Sequence, residues 1–218
     1  MPEATGPVGV AAQDDETLVR LARRGDPSAR DELFRRHRGV AYRVAYRLLG
    51  HEQDAQDAVQ DGLLKAFAAL AEFDGRSGFR TWLVRVVTNA ALDLGRKRGR
   101  RASFWGGITG AGERSGVGPA AGHGAGVGAG GPDDHPAATA DDPARGLHRE
   151  DLRQALDAAL ARLSPKLRTT FVLFAEAGLS YKEIAEAQGV PIGTVMSRIH
   201  EARHKLQAVP GLRDLEGG

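Results

Sequence analysis

Apolar positions recur at helical spacing along most of this chain. From Asp14 to about Arg101 the pattern is nearly continuous, and it predicts helices over 15–24, 28–49, 52–71 and 80–98. Asp26-Pro27 separates the first two, with proline near a helix start. The second helix carries Leu33, Phe34, Val40, Ala41, Val44, Ala45 and Leu48 as its apolar stripe. The third buries Ala55, Val59, Leu63, Phe67 and Leu70 at steps of four or three residues. Along the fourth, Trp82, Leu83, Val86, Val87, Ala90 and Leu94 span an arc of about 140° at ~100° per residue. Helical pattern resumes near Leu147 and runs to about Leu206. Strand signals are almost absent, and Phe171-Val-Leu-Phe174 fits a buried helix as well as a strand.

The sharpest local pattern lies between Leu179 and Leu206. Ser180 is placed to cap a short helix, with Glu183 three residues on completing a capping box. Gly189 suits the left-handed backbone that ends a helix, and Pro191 opens the next. In that second helix Ile192, Val195, Ile199, Ala202 and Leu206 share one face, while Gly193, Thr194, Ser197, His200, Glu201 and His204 share the other. Two crossed helices with a glycine turn and a small, polar outer face form a helix-turn-helix, a shape that fits the DNA major groove. An ordinary helical hairpin in a bundle is the other reading of this segment taken alone.

Composition divides the chain. Residues 1–13 are small, polar and without period, a disordered N-terminus. Residues 102–148 hold a low-complexity glycine-rich tract that reads as a long flexible linker, and 208–218 as a flexible tail. A linker of about 45 residues has a root-mean-square span of roughly 35–40 Å. The expectation is all-α: two small helical domains, 14–101 and 149–207, on a tether. With no cysteine there is no disulfide framework and no thiolate metal site. No apolar run approaches the ~18 residues of a membrane span, and the N-terminus lacks a signal pattern, so a cytoplasmic protein without membrane insertion is expected.

Charge is informative where it clusters. Between Arg76 and Arg101 lie eight basic residues against one acid, Asp93: a phosphate-binding footprint or a solvated basic helix end. On the fourth helix Arg85, Asn89 and Arg96 fall together outside the apolar arc; asparagine pairs bidentately with adenine, and arginine binds guanine or phosphate. Upstream, Phe73-Asp-Gly-Arg-Ser-Gly-Phe-Arg80 is a glycine-containing loop whose aromatics either receive unstacked bases or pin the loop as core. The third helix displays Asp54, Asp57, Gln60 and Asp61 on its outer side, a docking face or a solvated one.

These strings together resemble a bacterial sigma factor of the extracytoplasmic-function (ECF) group of the sigma-70 family. The resemblance rests on Arg23-Arg-Gly-Asp-Pro27, Asp57-Ala-Val-Gln-Asp61, Phe73-Asp-Gly-Arg through Thr81-Trp-Leu, Asn89-Ala-Ala-Leu-Asp93, Leu163-Ser-Pro and the helix-turn-helix. It implies a sigma2-like bundle that binds core RNA polymerase and reads and melts the −10 element. A sigma4-like helix-turn-helix would read the −35 element. By motif, Asp54, Asp57, Gln60 and Asp61 would face polymerase. Phe73, Arg76, Phe79, Arg80, Arg85, Asn89, Asp93, Arg96 and Lys97 would meet −10 DNA, the loop holding a flipped base at a cost of a few kcal/mol. Gly193, Thr194, Ser197, Arg198, His200 and Arg203 would meet −35 DNA. The implied partners are the polymerase beta and beta-prime subunits, promoter DNA and an anti-sigma factor, with no cofactor, metal, catalytic residue or small-molecule substrate. Three positions depart from the family: Gly62 within a helix at about 1 kcal/mol relative to alanine, Met196 where a basic residue is common, and Glu201 on the groove-facing side.

Two other classes fit parts of the chain. A polymerase-independent helix-turn-helix regulator leaves the first domain unassigned. An enzyme using Asp54, Asp57 and Asp61 lacks a histidine in metal-ligand pattern and a phosphate-binding glycine loop.

Overall fold

The computed structural model describes residues 11–108 and 143–208, and the side chains of 11–99 and 152–208. The expectations for residues 1–10, 109–142 and 209–218 lie outside the described residues. Within them there are eight α-helices and no strand. The first unit comprises α1 (Asp15–Arg23), α2 (Pro27–Leu49), α3 (Glu52–Ala68), a 3-10 turn (Leu70–Glu72) and α4 (Phe79–Ile108). The second comprises α5 (Pro143–Arg162), α6 (Pro165–Ala175), α7 (Tyr181–Gln188) and α8 (Ile192–Gln207).

Local chemistry sets most of the ends. The Asp14 carboxylate accepts from the Thr17 amide at 2.7 Å and caps α1. Asp26 does the same for α2, accepting from the Ser28 amide at 2.8 Å, with Pro27 at the first helical position. Gly50, at φ 70°, ends α2 in the left-handed conformation. Two ends differ from the pattern-based ones. Helix α3 stops at Ala68, before its predicted end at 71, and passes into the 3-10 turn. Helix α4 continues to Ile108, and α5 begins at Pro143, so 102–108 and 143–148 are helical. The Arg- and Lys-rich stretch after Asp93 consists largely of good helix formers, which let α4 propagate past its apolar arc.

In the first unit α4 is packed between α2 and α3, and this corrects its predicted arc. Val84 and Ala91 are fully buried although they lie outside that arc, while Trp82, Val86 and Leu94 are half-buried. A helix with neighbours on two sides has no single apolar stripe. At the α3–α4 crossing a Cβ on Gly62 would stand 2.9 Å from the Val87 Cα and 2.8 Å from its Cγ2. Glycine is what lets these two backbones approach so closely, which accounts for its departure from the family pattern.

The second unit closes over Leu160, Leu163, Leu167, Ala202 and Leu206. The two units do not stand apart. Val172, Leu173, Ala177, Leu179, Ile184, Val195 and Ile199 belong to the same continuous core cluster as Leu33, Val44 and Val87 of the first unit. Polar bonds reinforce that seam. Arg47 donates to Glu176 at 2.9 Å and pairs with Asp157; burial opposes its charge, but these carboxylates outweigh it and hold its pKa raised. Arg168 reaches the Leu48 carbonyl at 3.2 Å.

Candidate nucleic-acid interface

On α3, Asp57, Gln60 and Asp61 are exposed, with Asp61 paired to Lys65 at 2.6 Å. Leu64 lies beside them and is 64% exposed, a large apolar group in an acidic surround. Sequence reasoning missed it, although in Leu63-Leu64 only one of the two can face the core. Asp54 requires correction. It was expected on the outer side but is 4% exposed, and its carboxylate is held by Arg98 of α4. A charge removed from water needs such a partner, so Asp54 ties α3 to α4 and does not belong to the exposed face.

The loop between the 3-10 turn and α4 forms one wall of an open cleft of about 840 Å³. The Asp74 carboxylate accepts from the Arg76 amide at 3.1 Å, and Gly75 takes φ 74°, so the chain turns tightly here. The opposite wall is α1 with its C-cap Arg24, which brings Arg20, Arg23 and Arg24, together with Asp15 and Glu16, to face Arg76, Arg80 and Asp74. Arg23 also donates to the Ala71 carbonyl at 2.8 Å, pinning α1 to the loop. The sequence assigns no DNA-facing role to these three arginines, although Arg23 and Arg24 belong to the Arg23-Arg-Gly-Asp-Pro27 string. The expected stacking role of Phe73 and Phe79 is corrected. Both are at least 90% buried, with rings 6.1 Å apart edge to face and each within 6 Å of Trp82. They line the cleft as part of its rigid floor, and their faces are spent on one another.

Beyond the cleft, α4 presents Arg85, Asn89, Asp93, Arg96 and Lys97 to solvent. Asp93 pairs with Arg96, which holds its carboxyl below the ordinary range, with Lys65 and Lys97 adding smaller effects. Arg85 and Asn89 carry no side-chain partner among the described residues. They lie outside the lining of the cleft, as a second exposed polar surface on the same helix.

In the second unit the predicted capping box is present. Ser180 Oγ accepts from the Glu183 amide at 3.3 Å, and the Ser180 amide donates to Glu183 Oε2 at 2.9 Å. Gly189 follows at φ 63°. Glu183 also accepts from Thr81 Oγ1 of α4 at 2.7 Å, which is the main reason its carboxyl is held below the usual range. On α8, Gly193, Ser197 and His200 are exposed and Thr194 is half-buried. Arg198, expected among the DNA contacts, is corrected. Its guanidinium donates to Gln188 Oε1 at 2.9 Å, and Gln188 also accepts from Thr170 at 3.0 Å. Arg198 therefore locks the angle between α6, α7 and α8. Arg203 lies over the Phe174 ring at 5.1 Å, an amphipathic side chain laid on its own domain.

A helix-turn-helix with an exposed polar face, joined to a bundle with a basic cleft, defines a nucleic-acid-binding protein. Comparison with known proteins makes the class specific. Residues 33–101 match Sigma-70 region 2, and 153–206 match Sigma-70, region 4. The ECF RNA polymerase sigma factor SigE of Mycolicibacterium smegmatis is 35% identical over 180 residues, which are 81% of this chain and 60% of that protein. The RNA polymerase sigma-H factor of Pseudomonas aeruginosa is 31% identical over 204 residues, 89% of this chain and 92% of that protein. Among solved structures, the sigma factor RpoE of Bartonella quintana in complex with the anti-sigma factor NepR has a TM-score of 0.58 at 26% identity. That match covers 82% of this chain and 94% of that one. The chain belongs to the ECF RNA polymerase sigma factors, which are transcription initiation factors and not enzymes. Among the described residues no helix is long and apolar enough to cross a membrane.

Proposed function

We propose that this protein binds core RNA polymerase in the cytoplasm and directs it to promoters through two separate DNA-reading surfaces. The supporting observation is the presence of a cleft carrying five arginines and an exposed Asn89 on α4, with a second exposed polar face on α8. The cleft, at about 840 Å³, is large enough to receive an unstacked base. Its arginines would hold the backbone of the separated strand. On α4, Asn89 and Arg85 would read −10 base edges, while Arg96 and Lys97 would contact phosphate. On α8, Gly193, Thr194, Ser197 and His200 would enter the −35 major groove.

The exposed Asp57, Gln60, Asp61 and Leu64 would meet the beta-prime clamp, with Leu64 as an apolar anchor among charges. The second unit would engage the beta subunit. Promoter elements about one and a half DNA turns apart are separated by roughly 50 Å. The seam around Arg47, Asp157 and Glu176 would open so that both units read at once. An anti-sigma factor, of the kind bound to the Bartonella quintana neighbour, would oppose that opening by covering the polymerase-facing surfaces.

Transcription from a randomised promoter library tests the division of labour. Asn89→Ala should lose roughly 1–3 kcal/mol of discrimination at one −10 position, the worth of a bidentate contact. Ser197→Ala should relax preference only within the −35 element. The same shift in both variants, or none in either, would refute the two-reader arrangement.

A further inference from the structure

Only three large hydrophobic side chains among the described residues stand prominently exposed, and two of them share one helix. Ile192 is 50% exposed and Met196 53%, one turn apart on α8. At that spacing they form a single apolar strip. The buried face consists of Val195, Ile199, Ala202 and Leu206; Ile192, expected on that face from its spacing, stands exposed at the first position of the helix. Met196 lies about 60° beyond Ile199, beside Gly193 and His200 on the outer surface.

The polar groups around the strip narrow what it can read. In the first two turns of α8, residues 192–198, the only cation is Arg198, and its guanidinium is bound to Gln188 at 2.9 Å. The Ser197 hydroxyl donates to the Thr194 carbonyl at 3.0 Å, which leaves lone pairs facing outward. Arg203, further along, rests on Phe174. The N-terminal turns of a recognition helix are those that approach base edges. Here they offer no free cation for guanine O6 and N7, the commonest specific contact. The apolar feature of the major-groove edge is the thymine C5 methyl.

We propose that the strip of Met196 and Ile192 reads a thymine methyl in the −35 element, so that this promoter is selected by apolar contact at an A·T pair. The proposal rests on the assignment of α8 as the −35 reader. The strip is continuous with that DNA-facing surface, and His200 flanks it as a donor toward the same groove.

The test uses the full chain with core polymerase on a −35 sequence first selected from a random library. Each dT is then replaced singly by dU, which removes only the methyl group. Wild type should lose about 3–5-fold in promoter binding at one position, the worth of burying one methyl. Met196→Ala should bind dT and dU templates alike, while its helicity and melting remain those of wild type. Met196→Arg should shift selection at that position from T toward G. No methyl penalty at any position would overturn the proposal, as would one that persists undiminished in Met196→Ala and Ile192→Ala. So would unchanged promoter preference in variants that instead dissolve a dimer seen by sedimentation, since the strip would then serve a second copy. Indifference of wild type to every −35 substitution would refute the assignment of α8 itself. Dependence on −35 sequence without dependence on the methyl would refute this inference alone.

Discussion

Replacing Gly62 by alanine should destabilise the protein, against the intrinsic preference of its helix. In an open helix the change would gain roughly 1 kcal/mol. Here the new Cβ would stand 2.8 and 2.9 Å from Val87 atoms, one of them the backbone Cα. Carbon atoms pack best at about 3.5–4.0 Å, so α3 and α4 would have to separate by most of an ångström. Forced overpacking of this kind costs about 1–3 kcal/mol, so after the helix-propensity gain the net loss should be up to about 2 kcal/mol. Gly39 supplies the control. It is exposed within α2, and a Cβ there would meet only the tip of the flexible Arg43 side chain at 3.6 Å. Gly39→Ala should therefore stabilise by up to about 1 kcal/mol. Urea melts of both variants, fitted with a common m-value, make the comparison. A Gly62→Ala protein stabilised as much as Gly39→Ala would refute the close-crossing argument.

The remaining predictions concern charge. Arg35 is the main cause, against the effect of burial and with help from Arg36, of a Glu32 pKa lowered from 4.5 to about 2. A carboxylate depressed on folding contributes stability that is present above pH 4.5 and disappears as pH falls toward 2; Glu32→Gln should therefore be less stable than wild type at pH 6 and equal to it near pH 2, as chemical denaturation at the two pH values would show. Arg47→Ala leaves Asp157 and Glu176 without their shared partner, in surroundings between exposed and buried, and should cost about 1–3 kcal/mol at the seam. Small-angle scattering of the full chain should then show an expanded particle, whereas an unchanged radius and melting curve would refute the role of Arg47 in holding the seam.

The helix-turn-helix was legible because its signals are local: Ser180, Glu183, Gly189 and Pro191 each act within four residues of their own positions. The same holds for Asp14, Asp26 and Pro27. What pattern could not reveal depends on partners far away in the chain. Asp54 looks like a surface acid until α4 brings Arg98 against it. Val84 and Ala91 fall outside the apolar arc because that arc assumes one neighbour, and α4 has two. Gly62 reads as a weak helix position until Val87 is seen beside it. The arginines of α1 join the cleft only through the fold of the loop after the 3-10 turn. Arg198 had the composition of a DNA contact, but Gln188 claims it first.

Transcription with purified core polymerase tests the central claim most directly. A single-round run-off assay would use a promoter selected by the full chain, with Gln60→Ala/Asp61→Lys as the paired variant. The wild-type protein should yield a transcript of defined start that core enzyme alone does not make. The variant should bind core polymerase weakly and lose most of that product while its helicity and melting match wild type. Promoter binding by the protein that neither needs polymerase nor yields a transcript would contradict the account and return the protein to the class of independent helix-turn-helix regulators.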